Sequence, residues 1–69
     1  MHETLEEFLN KRPFKPFEIR LSNGDSHAVK HPDAAVLMKT KIVLVSTETN
    51  EYVVCFLLHI AAVKVLKRS

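Results

Sequence analysis

The residues with most chemical potential in this chain are four histidines, His2, His27, His31 and His59, and a single cysteine, Cys55. A zinc site would need several of them to converge, at metal–nitrogen distances of about 2 Å. His27 and His31 stand four apart, a spacing that converges on a helix. Their segment alternates as a strand does, and four strand residues span roughly 13 Å, so the two rings cannot share an ion. Cys55 and His59 have the same spacing and stay out of contact if their strand continues, which removes a Cys/His nucleophile pair. Glu6 and Glu7 are adjacent carboxylates on an exposed helix start. A chain with one glycine cannot build a glycine-rich phosphate loop. The expectation is therefore no enzyme activity, no metal or other cofactor, and no small-molecule substrate.

The elements that would carry these residues follow from periodicity. Leu5, Phe8 and Leu9 form one apolar stripe at helical spacing, predicting a helix over residues 3–12. Thr4 and Glu7 match a capping box, although His2, Glu3 and Thr4 could equally form the first turn. Pro13 pushes Arg12 out of helical geometry and ends the element. A helix of about ten residues is not stable alone in water, so its stripe must dock.

Phe17, Ile19 and Leu21 then alternate with Glu18, Arg20 and Ser22, predicting a half-buried strand over 17–22. Asn23 and Gly24 turn the chain. A two-residue loop would set Val29 against polar Glu18. A three-residue loop, Ser22-Asn23-Gly24, puts Gly24 in the left-handed region and sets Val29 against Phe17, which is preferred. His27, Val29 and His31 then share the inward face, with Asp25 at its open end. Pro32 stops or bends this strand of 25–31. Residues 33–40 read as a turn or short helical piece. Further strands are expected over 41–47, 52–58 and 60–66.

Size and composition set bounds. At 69 residues the chain is one domain with a small core, burying only roughly 60% of its unfolded surface. A lone cysteine inside an apolar run reads as a buried hydrophobe in a reducing compartment, and no apolar leader precedes the acidic start, so a cytoplasmic location is expected. The apolar run over 52–63 is interrupted by His59 and is shorter than the ~20 residues a membrane helix needs. The net charge of +2 permits an anionic partner without arguing for one. The strands over 42–45 and 53–58 are apolar on both faces, more than one small core needs, which points to self-association through a strand edge or a sheet face.

With "RPF-x-PF-x-I-x-L" at 12–21, Asn-Gly at 23–24, His-Pro at 31–32 and "LLHI" at 57–60, the chain resembles a group of short uncharacterised bacterial proteins, a likeness that implies no activity. It also resembles, more loosely, the bacterial Sm-like (Hfq) family of ring-forming RNA binders, through "FLN" at 8–10, "I-x-L-x-NG" at 19–24 and "HI-x-x-V" at 59–63. That likeness implies a mostly β fold with one N-terminal helix (α+β), a small five-stranded antiparallel Sm-like or SH3-like barrel. His59 matches the family's RNA-contacting histidine at the pore. Leu58 stands in place of its lysine, Leu57 in place of its tyrosine, and Val29 in place of the glycine that bends its second strand. Residues 33–35 offer no aromatic for base stacking.

Two expectations about function follow. The first is a non-catalytic protein-association module, a homo-oligomer. The second is an RNA binder using a different basic surface, built from Lys39, Lys41, His59, Lys64, Lys67 and Arg68. Losing the family's cation and stacking ring removes the terms that drive single-strand binding, so the second needs a new site.

Overall fold

The computed structural model describes residues 1–46 and 49–66. Helix α1 spans His2–Asn10. Six strands follow: β1 Phe17–Leu21, β2 Ser26–Val29, β3 Ala35–Leu37, β4 Lys41–Ser46, β5 Glu51–Phe56 and β6 Ile60–Val65. They form two three-stranded antiparallel sheets, a first in the order β2-β1-β6 and a second in the order β3-β4-β5.

Helix α1 begins without the expected capping box. Met1 is the N-cap, no side chain caps the end, and the Leu5 N–H donates to the Met1 carbonyl at 3.1 Å. Thr4 lies inside the first turn instead. At the other end Lys11 is already extended, and the Arg12 guanidinium donates to the carbonyls of Leu9 at 3.0 Å and Lys11 at 2.9 Å. A cation on carbonyls left over at a helix C-terminus satisfies both their lone pairs and the dipole. The stripe docks as its spacing requires. Leu5 is fully buried, and Phe8 meets Phe17 edge-on with centroids 5.1 Å apart. Phe14 closes on the same ring at 6.0 Å.

The β1–β2 hairpin has the three-residue loop. Phe17 pairs with Val29 and Ile19 with His27, and the Leu21 N–H donates to the Asp25 carbonyl at 2.8 Å. Gly24 sits at φ 97°, a left-handed value that a side chain would strain. The Asn23 side-chain oxygen accepts from the Asp25 N–H at 2.9 Å, bracing the turn. Only part of the expected inward row is covered: Val29 is buried, His27 half-buried, and Asp25 and His31 are exposed.

The five-stranded barrel is not what forms. Strand β2 ends at Val29, and a 3₁₀ turn at Pro32–Ala34 intervenes before β3, a strand in the segment expected to be a turn or helical piece. Proline has no N–H to extend a ladder, so pairing lapses there and the chain starts a second sheet. Strands β2, β6, β3 and β5 each have one neighbour, and a closed barrel would give every strand two. A second 3₁₀ turn, Leu57–His59, ends β5 earlier than expected and hands the chain to β6. The predicted end of the 41–47 strand at Thr47 and the predicted basic tail at Lys67 and Arg68 lie outside the described residues.

A bulge completes the first sheet. Arg20 pairs with Ala62 but Leu21 pairs with Ile60, leaving Ala61 without an opposite residue. Side chains alternate with period two, so this extra residue lets Ile60 point inward along with Val63. The two sheets and the helix share one core: Leu5, Phe17, Ile19, Val29, Ile42, Leu44, Cys55 and Ile60 are buried with Ala35, and among the described residues no polar side chain is buried with them.

Candidate interaction surface

Register and burial together decide which side of each sheet meets water. In β4, Ile42 and Leu44 are buried, so Lys41, Val43 and Val45 point outward. In β5 only Cys55 is buried, and Tyr52, Val54 and Phe56 point outward. The pairing aligns them in rows: Val36, Val43 and Val54 across three strands, Val45 beside Tyr52, and Lys41 beside Phe56. This outer face is exposed, with Val36 at 55%, Tyr52 at 73% and Phe56 at 50%. Met38 and the almost bare Leu58 extend it at the loops. The outer face of the second sheet is thus a contiguous apolar patch in contact with water.

Among the described residues no three of His, Cys, Asp and Glu come together in a way that could hold a metal ion. Cys55 is 2% exposed on the inner face of the second sheet, and burial pushes its thiol pKa up. His31 uses its backbone, its carbonyl accepting from the Ala34 N–H at 3.0 Å to close the 3₁₀ turn. The His59 carbonyl accepts from the Ser22 N–H at 2.8 Å, tying the β5–β6 connection to the end of β1. A groove of about 860 Å³ opens where the first sheet fails to cover the second, between His27 and His31 on one wall and Leu44 and Val53 on the other. Its mixed lining of Lys30, Asp33 and Glu51 favours no one ligand charge.

Of the basic residues expected to contact RNA, the described ones do not form a single patch. Lys64 lies on the outer face of the first sheet opposite Glu18, whereas Lys41 lies on the outer face of the second. Lys39 is exposed in the β3–β4 turn. Two of the set do meet around one ring: the Lys41 Nζ lies 6.0 Å from the Phe56 centroid, and His59 meets that ring edge-on at 6.5 Å. Phe56 was not singled out by sequence, because inside an apolar strand an outward ring reads like a core ring.

Compared with known proteins, the chain matches no family model, no curated protein and no solved structure. Among the described residues no helix is long and apolar enough to cross a membrane.

Proposed function

We propose that this protein works by association, without catalysis, and that its first partner is another copy of itself. The observation that carries this reading is the outer face of the second sheet, where Val36, Val45, Tyr52, Val54 and Phe56 all remain exposed in the single chain. Water penalises that arrangement by roughly 25 cal/mol for each Å² of apolar area left uncovered, and a partner removes the penalty. Light scattering coupled to sizing, from micromolar to millimolar protein, tests it. The expected result is a mass above the 7.9 kDa of one chain, rising with concentration. A constant monomer mass over that range overturns self-association.

A second reading, single-stranded nucleic-acid binding, has one observation in its favour. Lys41, His59 and the half-exposed Phe56 ring combine a cation with a stacking face, the two components such binding uses. Titration of labelled U-rich and A-rich RNA at two salt concentrations tests it. Affinity that falls steeply with salt supports this reading, and no binding at low salt removes it.

A further inference from the structure

The association reading leaves the mode of contact open, and the placement of the exposed residues narrows it. This inference rests on that reading. Sheets associate either edge to edge or face to face. Pairing along the free edge of β5 would extend the ladder and leave every outward side chain wet. The exposed apolar residues are spread over all three strands, with Val36 on β3, Val45 on β4, and Tyr52, Val54 and Phe56 on β5. Only a contact across the face covers them. Their exposed fractions, on side chains whose aromatic members reach 150–250 Å² each, amount to roughly 400 Å² of apolar surface. A standard interface takes about 800 Å² from each partner, a little over half of it apolar, so roughly 400 Å² of apolar face with its rim approaches what a stable dimer needs.

Charge selects the orientation. The outward positions of the three strands carry one cation, Lys41, and no carboxylate. Two copies stacked face to face with their strands aligned are related by a two-fold axis lying in the interface, close to the strand direction or close to perpendicular to it. Strand β4 is central, so it lies over its counterpart in both cases. An axis along the strands sets Lys41 over Lys41, two like charges desolvated against each other. An axis across the strands reverses the ends, so Lys41 lies over Val45 of the second copy and Phe56 lies over its Tyr52. The two lysines are then about 13 Å apart along the strand direction, so the like charges no longer face each other. Each ammonium, already 6.0 Å from the Phe56 centroid, gains the tyrosine ring as a second π face.

We propose that the second sheet packs face to face on the second sheet of another copy. The strands run antiparallel about a two-fold axis through the Val36–Val43–Val54 row, and Phe56 of each copy meets Tyr52 of the other.

Cysteine cross-linking of the full chain tests this geometry. Sheets stack about 10 Å apart, within reach of a short bismaleimide. Val43→Cys lies on the axis and is expected to cross-link to itself in high yield. Val45→Cys, which keeps Lys41 in place, lies over Lys41 of the second copy and is expected to cross-link poorly to itself. Wild type, whose Cys55 is buried, controls for background. Val54→Lys points outward, so its circular dichroism is expected to match wild type while dimerisation weakens at least about tenfold, which is what losing one favourable central contact removes. Two failures are distinguishable. A wild-type monomer at every concentration defeats the association reading and this inference together. Dimers in which Val45→Cys links to itself as readily as Val43→Cys, or in which Val54→Lys dimerises normally, leave association standing and overturn this geometry.

Discussion

On the outside of the first sheet, Glu18 lies between Ala28 and Lys64, and Arg20 lies between Ser26 and Ala62. At matching places on the second sheet, Val43 lies between Val36 and Val54, and Val45 lies beside Tyr52. Both sheets send apolar residues into the same core, so fold stability does not account for the difference. Valines suit strands wherever they lie, which explains part of the second face. Strand preference does not explain Met38 and Leu58, exposed in loops beside it. The contrast is one of surface chemistry: the first sheet turns charged side chains outward, the second apolar ones.

Experiments that break this comparison begin with the shared core, where the largest effects are expected. Phe17→Ala in the first sheet and Ile42→Ala in the second should each cost about 3 kcal/mol or more in urea unfolding, because both side chains are fully buried. Similar losses in one transition would bear out a single core; two separate transitions would show sheets that fold independently. Next come the outer faces. Tyr52→Glu should weaken self-association about a hundredfold, the equivalent of ~2.7 kcal/mol, and leave the folded chain intact. Ala28→Lys at an exposed position of the first sheet should change association by less than twofold in the same sizing experiment, and an equal effect would erase the distinction between the faces.

The inner face of the second sheet has a pH signature. The folded-state pKa of Cys55 is raised, so between the unfolded and folded values the unfolded chain holds fewer protons than the folded one. Stability therefore falls as pH rises past about 8.5, the pKa of a free thiol. The urea midpoint should drop more between pH 7.5 and 10 in wild type than in Cys55→Ala. Identical drops would mean that the thiol is not desolvated.

Smaller effects belong to the first sheet. Gly24→Ala meets no neighbouring atom, yet at φ 97° it should cost about 1 kcal/mol through backbone strain alone. Lys64→Glu would set two carboxylates opposite each other with Glu18, costing a few tenths of a kcal/mol, an effect that added salt should shrink.

How much of this was legible beforehand varies along the chain. Strand β1 alternates apolar with charged residues, so its inward face and the Phe17–Val29 register could be read directly once Gly24 had fixed the loop length. The helical stripe of Leu5, Phe8 and Leu9 was equally clear. Strand β3 was not: it has three residues, too few for a period to show, and it follows a proline-led turn. The surplus of apolar strand was visible, but its location was not, because a strand apolar on both sides gives no sign of which side is wet. The cluster of Lys41, Phe56 and His59 depends on cross-strand pairing and on the turn after β5.

Local sequence by itself determined the first helix, the first hairpin and its register, since alternation, a left-handed glycine and a proline stop act within a few residues. Tertiary structure alone decided that the ladder parts at Pro32 into two sheets. It also decided that the outward sides of β4 and β5 stay exposed. Both outcomes depend on which distant strands pair and which faces they leave uncovered, a competition among long-range contacts that no short window of sequence contains.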